Sequence, residues 1–227
     1  MDPEANDYKT VLLIHSDASD GSTTFTDSGD GPNCPHTITA VGNVHHEIER
    51  KKFCLSSIEF DGSGDYLSLV DHADWDFDSG NFTIDTWAYF LSLSDENIFE
   101  HYFDNNNRAL LYLNATNLVF KVISGGVTNV EINAAHGIST GGWHHVALVR
   151  NGNTFTAYID GSSVGSDTDA NDYPDYGGSV FIGVNHWSGA VSAVMTGYID
   201  EYRISKGVAR WTGNFTPASS PYDYTCS

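Results

Sequence analysis

The chain has 227 residues, 30 Asp and Glu against 10 Lys and Arg, and a formal net charge of −20 at pH 7. That balance excludes nucleic-acid binding through phosphates, which needs clustered cations, and 40% hydrophobic with 13% aromatic residues excludes charge-driven disorder. No apolar run approaches the roughly 20 residues of a membrane-spanning helix, so the composition is that of a globular, β-leaning chain with an acidic surface.

The opening Met1-Asp2-Pro3-Glu4-Ala5-Asn6-Asp7-Tyr8 has no basic n-region and no apolar h-region, so no signal peptide is expected there. Three cysteines, Cys34, Cys54 and Cys226, are too few for a disulfide framework and lack C-x-x-C spacing. One bridge plus one free thiol, with Cys34–Cys54 the favoured pair, would add about 3 kcal/mol in the chain-entropy model. Three free or buried thiols are the alternative. Sequons at Asn81, Asn114 and Asn214 are expected as chance matches in a chain rich in Asn, Ser and Thr.

Period-2 runs dominate the middle and the end of the chain. Phe82-Thr83-Ile84-Asp85-Thr86-Trp87-Ala88-Tyr89-Phe90 predicts an aromatic-rich strand. Residues 109–112 and 118–123 flank Asn114-Ala115-Thr116-Asn117 as a hairpin, and residues 143–150 and 154–159 flank Asn151-Gly152-Asn153 as a second. Asp160-Gly161 turns into a strand at 162–165, and residues 179–184 and 197–204 supply two late strands. No amphipathic helix is visible; residues 206–211 form at most one turn. Short strands at about 8–12-residue spacing with Gly, Asn and Asp turns predict an all-β, antiparallel β-sandwich or barrel in one domain.

Five segments, in order, resemble the laminin-G-like, concanavalin A-like lectin and glucanase jelly-roll superfamily. They are Phe60-Asp61-Gly62-Ser63-Gly64-Asp65-Tyr66-Leu67, Asn81-Phe82-Thr83-Ile84-Asp85-Thr86-Trp87, Gly142-Trp143-His144-His145-Val146-Ala147-Leu148-Val149-Arg150, Tyr158-Ile159-Asp160-Gly161 and Gly197-Tyr198-Ile199-Asp200-Glu201-Tyr202-Arg203-Ile204. The resemblance implies two curved antiparallel sheets packed face to face, residues 11–40 giving the opening strands. It implies a single jelly-roll domain over residues 1–227, with peripheral arms at 1–10 and 212–227. The closing Trp211-Thr212-Gly213-Asn214-Phe215-Thr216-Pro217 is similar to a subgroup common in marine bacteria and in tailed-phage structural proteins.

Glucanases of that superfamily carry paired acids as Glu-x-Asp-x-x-Glu, alternate side chains lining one cleft. Asp95-Glu96 with Glu100 and the isolated Asp85 do not reproduce it, and no nucleophile elbow, His-Glu-x-x-His or P-loop is present. A non-catalytic chain is therefore expected. Trp87 and Trp143 are expected in the sheet core, His144 and His145 on opposite faces of one strand, and His45-His46 in a solvated loop.

The resemblance also implies a structural Ca²⁺ where the N-terminal segment, the Phe-Asp-Gly turn and the last strand converge. Mapped by motif, the ligands are Asp27, Asp30, the backbone near Gly62, and Asp200; Asx-turns at the two loop acids are the alternative. The acidic run 167–175 lacks the Gly and closing Glu of an EF-hand and is expected as a solvated loop. Tyr173, Tyr176, His186 and Trp187 fall among turn residues; exposed rings beside Asn and Asp suit sugars or protein interfaces. Trp187 as a cap on the sandwich edge is the competing role. Two functions are expected on these grounds. One is a virion structural or decoration protein at the particle surface, contacting other virion proteins and assembling as a homo-oligomer. The other is a calcium-dependent carbohydrate-binding module, extracellular or on a cell surface.

Overall fold

A computed structural model describes residues 6–222; the outermost parts of the two expected arms, 1–5 and 223–227 with Cys226, lie outside the described residues. The first third supplies β1 (Thr10–Ile14), β2 (Thr39–Val41), β3 (His45–Glu47), β4 (Ser57–Asp61) and β5 (Tyr66–Leu69), then a 3-10 turn at Ala73–Trp75. The centre supplies β6 (Phe82–Phe90), β7 (Glu96–Asp104), β8 (Asn107–Leu113), β9 (Asn117–Ser124) and β10 (Val127–Ala135). The remainder supplies β11 (Trp143–Asn151), β12 (Thr154–Ile159), β13 (Ser162–Thr168), β14 (Ser179–Ile182), β15 (Val184–Trp187), β16 (Ala190–Val194) and β17 (Thr196–Lys206).

Strand alternation sorts these elements into two antiparallel sheets. The first runs β13-β12-β11-β6-β17-β4-β3, with β1 also on β17; the second runs β10-β9-β8-β7-β14-β5-β2. Between them lies one core, in which Phe82, Ile84, Ala88 and Phe90 of β6 join Leu111 and Leu113 of β8 and Phe120 and Val122 of β9. This is the all-β sandwich that period 2 predicts. No helix among the described residues is long and apolar enough to cross a membrane.

The expected hairpins form where turn chemistry permits them. Asn114 Oδ1 accepts the N–H groups of Thr116 and Asn117, closing β8 onto β9. Asp160 (φ 50°) and Gly161 (φ 76°) give the two positive φ values of a type I′ turn between β12 and β13. A Cβ on Gly161 would meet the Phe215 carbonyl oxygen at 1.9 Å, so the closing segment docks where a side chain is missing.

β17 changes partners along its length. Its first residues pair with β4 and its later ones with β1, and the register slips between Asp200 and Arg203. The Asp200 carboxylate occupies the bulge, accepting the N–H groups of Lys52, Phe53 and Glu201 at 3.1, 3.0 and 2.9 Å. Residues 207–222 then cross the outer face of the first sheet. Trp211 stacks on Phe215 with ring centroids 4.0 Å apart, and covers Ala147, Val149 and Tyr158. Beneath this cover Arg203 makes two hydrogen bonds to Asp85, at 3.0 and 3.1 Å, and the Tyr222 hydroxyl donates to the same carboxylate at 2.7 Å.

The two tryptophans expected in the sheet core sit elsewhere. Because Ile84 and Ala88 of β6 face inward, Trp87 and Tyr89 face outward, and Trp143 pairs beside Tyr89 on that outer side. Trp87 is buried there beneath Lys52, whose Nζ lies 3.6 Å from the ring centroid. The indole inside the core is Trp75, on the 3-10 turn.

Candidate functional site

The β15–β16 hairpin folds across the outer side of the second sheet against β7. Its two-residue turn is Ser188 (φ 53°) and Gly189 (φ 76°), another pair of positive φ values. Alternation sends His186 down and Trp187 up. Below, the fully buried Glu100 side chain accepts both the backbone N–H and the Nδ1–H of His186 at 2.9 Å. Arg108 approaches the other Glu100 oxygen at 3.5 Å and donates to the His186 carbonyl at 2.6 Å. Burial pushes the Glu100 carboxyl above the usual range, against the opposing pull of His186 and Arg108.

Above this base Trp187 is 58% exposed, its ring 5.2 Å from the Arg108 guanidinium, and Phe103 is also 58% exposed. An open hollow of about 390 Å³ adjoins the hairpin, lined by Tyr102, Phe103, Asn105, Asn106, Ser188 and Gly189. Its two walls are cross-linked. Asn105 donates to Ser188 Oγ at 3.1 Å and accepts the Ser188 N–H at 2.8 Å, while the Tyr102 hydroxyl accepts the Gly189 N–H at 3.0 Å. The hollow is thus held open before any ligand arrives, with the Phe103 ring and amide and hydroxyl groups along its lining.

Of the four aromatic residues expected to bind ligand, Trp187 alone is exposed; the other three are corrections. Tyr173 and Tyr176 are 2% and 6% exposed and belong to the core, Tyr173 stacked on His101 and Tyr176 edge-on to it. The Tyr173 N–H bonds the Asp78 carbonyl, and the Tyr176 hydroxyl donates to the Arg108 carbonyl, drawing the loop inward. His186 is buried as the hairpin's anchor. Tyr102, Phe103, Asn105 and Arg108 were not singled out by sequence; the available signal was Tyr102-Phe103 ahead of the turn-forming Asp104-Asn105-Asn106-Asn107.

The residues expected to hold calcium do not form one cage. Asp27 Oδ1 accepts the N–H groups of Leu13 and Gly29, and its Oδ2 that of His36, at 3.0, 2.8 and 2.8 Å. Asp200 is occupied in the β17 bulge, Asp30 is exposed, and a Cβ on Gly62 would press on Thr196 Oγ1. Among the described residues, Asp27 converges with Cys34 and His36 and not with Asp30 or Asp200. With Asp27 and Asp200 each engaged by three N–H groups and Asp30 not gathered with either, these residues do not fit a Ca²⁺ shell of six to eight oxygens.

The favoured Cys34–Cys54 bridge is also corrected. Cys34 is a free thiol, its Sγ 3.4 Å from the Val11 carbonyl oxygen, and burial followed by the Asp27 charge pushes it up to about 12. Cys54 is disulfide-bonded, and not to Cys34. His45-His46 forms strand β3 rather than a loop, with His46 buried between Ser16 Oγ and the Thr24 carbonyl. In the acidic run 167–175, the carbonyls of Asp169 and Asn171 accept hydrogen bonds from the fully buried Arg150.

Comparison with known proteins places this geometry in a family. No match emerges among curated protein sequences. Domain 4 of AbnA, an extracellular arabinanase from Geobacillus stearothermophilus solved with arabinotriose, is similar at 22% identity and TM-score 0.64, over 88% of this chain and 94% of that one. The binding domain of Paraclostridial Mosquitocidal Protein 1 is similar at 15% identity and TM-score 0.64, over 89% of this chain and 50% of that one. The binding domain of Botulinum Neurotoxin DC, solved with SialylT, is similar at 13% identity and TM-score 0.60, over 89% and 49%. The chain spans about half the length of these two toxin domains. A laminin-G-type family model matches residues 61–211, which takes in both walls of the hollow and the outer-face network of Asp85 and Arg203. The chain belongs to the concanavalin A-like lectin/glucanase superfamily.

Proposed function

We propose that this chain is a non-catalytic carbohydrate-binding domain whose site is the Trp187 face and its adjoining hollow. The observation that carries the reading is an indole 58% exposed on a buried, hydrogen-bonded base. A large ring held in water at low conformational cost suits the apolar face of a sugar, while Asn105, Asn106 and Ser188 suit its hydroxyls. Glu96 and Glu100, the acids nearest on β7, are engaged by the Thr196 and His186 N–H groups, which suits anchoring rather than hydrolysis. The arabinotriose and SialylT complexes of similar domains support the ligand class. A net charge of −20 repels anionic glycans at long range, so a neutral oligosaccharide is the preferred ligand. The same fold would serve display on a phage particle, but the exposed Trp187 favours glycan binding.

The test is a glycan array followed by calorimetry on the best neutral hit. Trp187→Ala is expected to weaken binding at least tenfold and leave the melting temperature within a degree or two. A blank array, or unchanged affinity in Trp187→Ala, would overturn the assignment.

A further inference from the structure

The edge of the first sheet carries a second constellation, independent of the Trp187 face. His45 and Glu47 are two apart on β3, so they share one side of the strand. Glu59 of β4 lies directly opposite His45 in register. One ligand atom from each residue lies within 4.8 Å of the other two, and His45 Nε2 is 3.1 Å from Glu59 Oε2. Tetrahedral zinc with bonds of about 2.0–2.1 Å holds its ligand atoms roughly 3.3 Å apart, so this edge already has nearly the required length.

Each residue also makes a hydrogen bond outside the trio. His45 Nδ1–H donates to the Asn43 carbonyl at 2.7 Å, which leaves Nε2 of a neutral ring with its lone pair. The Tyr198 hydroxyl donates to Glu59 Oε1 at 3.3 Å, and the Glu49 N–H donates to Glu47 Oε1 at 2.7 Å. Such outer hydrogen bonds orient metal ligands and fix the histidine tautomer. They also set a lone pair against a carboxylate oxygen, an arrangement that becomes attractive only when a proton or a cation stands between.

We propose that His45, Glu47 and Glu59 bind a divalent cation of the zinc class at the open edge of the first sheet. One neutral imidazole and two carboxylates balance the charge of Zn²⁺. Three protein ligands leave a fourth position open to water or to an oxygen or nitrogen donor on a partner. Because β3 is a three-residue edge strand, the cation also ties it to β4. The cluster of His36, His72 and Asp74 is less suited, because His72 Nδ1 already accepts the Asp74 N–H at 3.1 Å to cap the 3-10 turn, and in the cluster of Asp27, Cys34 and His36 the Asp27 carboxylate is taken by three N–H groups.

Full-length protein stripped with chelator and titrated with ZnCl₂ in a calorimeter tests this. Expected are one equivalent saturating at micromolar metal, a raised melting temperature, and at least tenfold weaker binding in His45→Ala and in Glu59→Gln. His72→Ala is expected to bind as the parent does, and circular dichroism reports whether each variant is folded. Millimolar or unsaturable binding would overturn the site. So would parental affinity in the folded His45→Ala and Glu59→Gln variants, or loss of binding in His72→Ala instead.

Discussion

Asp27 is one carboxylate that serves three backbone N–H groups from β1, its own loop and the segment at His36. Each of those donors is out of reach of strand partners, so the side chain replaces a sheet where the chain has none. Arg150 does the reverse with carbonyls: its guanidinium is fully buried and donates to the carbonyls of Asp78, Gly152 and Asn171. One acid and one base thereby fix two loop systems, one near the start of the chain and one drawn from its middle. Asp27→Ala leaves the three N–H groups without their acceptor and is expected to cost about 3 kcal/mol. Urea unfolding at pH 7 measures it, and a loss below about 1 kcal/mol would mean that water replaces the carboxylate.

At the scale of elements, the closing segment matters more than an arm. Trp211 and Phe215, stacked on each other, meet His145 and Tyr158 edge-on on the outer side of the first sheet, so this sheet is buried on both faces where they lie. Trp211→Ala is expected to cost roughly 3–5 kcal/mol, read as a lower urea midpoint with an unchanged slope. The same burial explains what sequence could and could not show. β6, β8, β9, β11 and β12 were legible because alternation and a Gly or Asn turn coincide in each. β7 was not, since its register slips near Asn97 and again near Tyr102, breaking period 2 twice. Trp87 read as sheet core because an outer face covered by a distant segment has the composition of an inner one. Trp187 was legible as an aromatic among turn residues, but so were Tyr173 and Tyr176, and only Arg150 and Asp78 decide that their loop turns inward. The hollow beside Trp187 needs the β7–β8 turn brought against the hairpin tip, a contact 83 residues long in sequence that no local pattern encodes.

For the molecule as a whole, buried titratable groups set how stability depends on pH. His101 is 1% exposed among Tyr173 and Tyr176, and burial pulls it down from 6.5 to about 4, against a hydrogen bond to the Gly178 backbone and the charge of Asp175. The unfolded chain takes up this proton near pH 6.5 and the folded chain does not until about pH 4. The stability this group confers is therefore complete above pH 6.5 and is lost as the pH falls toward 4, by up to about 3 kcal/mol. Asp85 acts in the next window. Burial alone would raise it, but the charge of Arg203 and hydrogen bonds from His145 and Arg203 hold it well below the usual carboxylate range. Its contribution is present above about pH 4 and is lost below that. Protonation of surface acids works the other way, since it relieves self-repulsion in a chain of net charge −20. The two effects separate in a variant: His101→Phe keeps an aromatic ring between the tyrosines and removes the titration. Urea unfolding at pH 7 and pH 5 should show the parent losing about 2 kcal/mol more than His101→Phe between the two conditions. An equal loss in both proteins would place the acid sensitivity in another group.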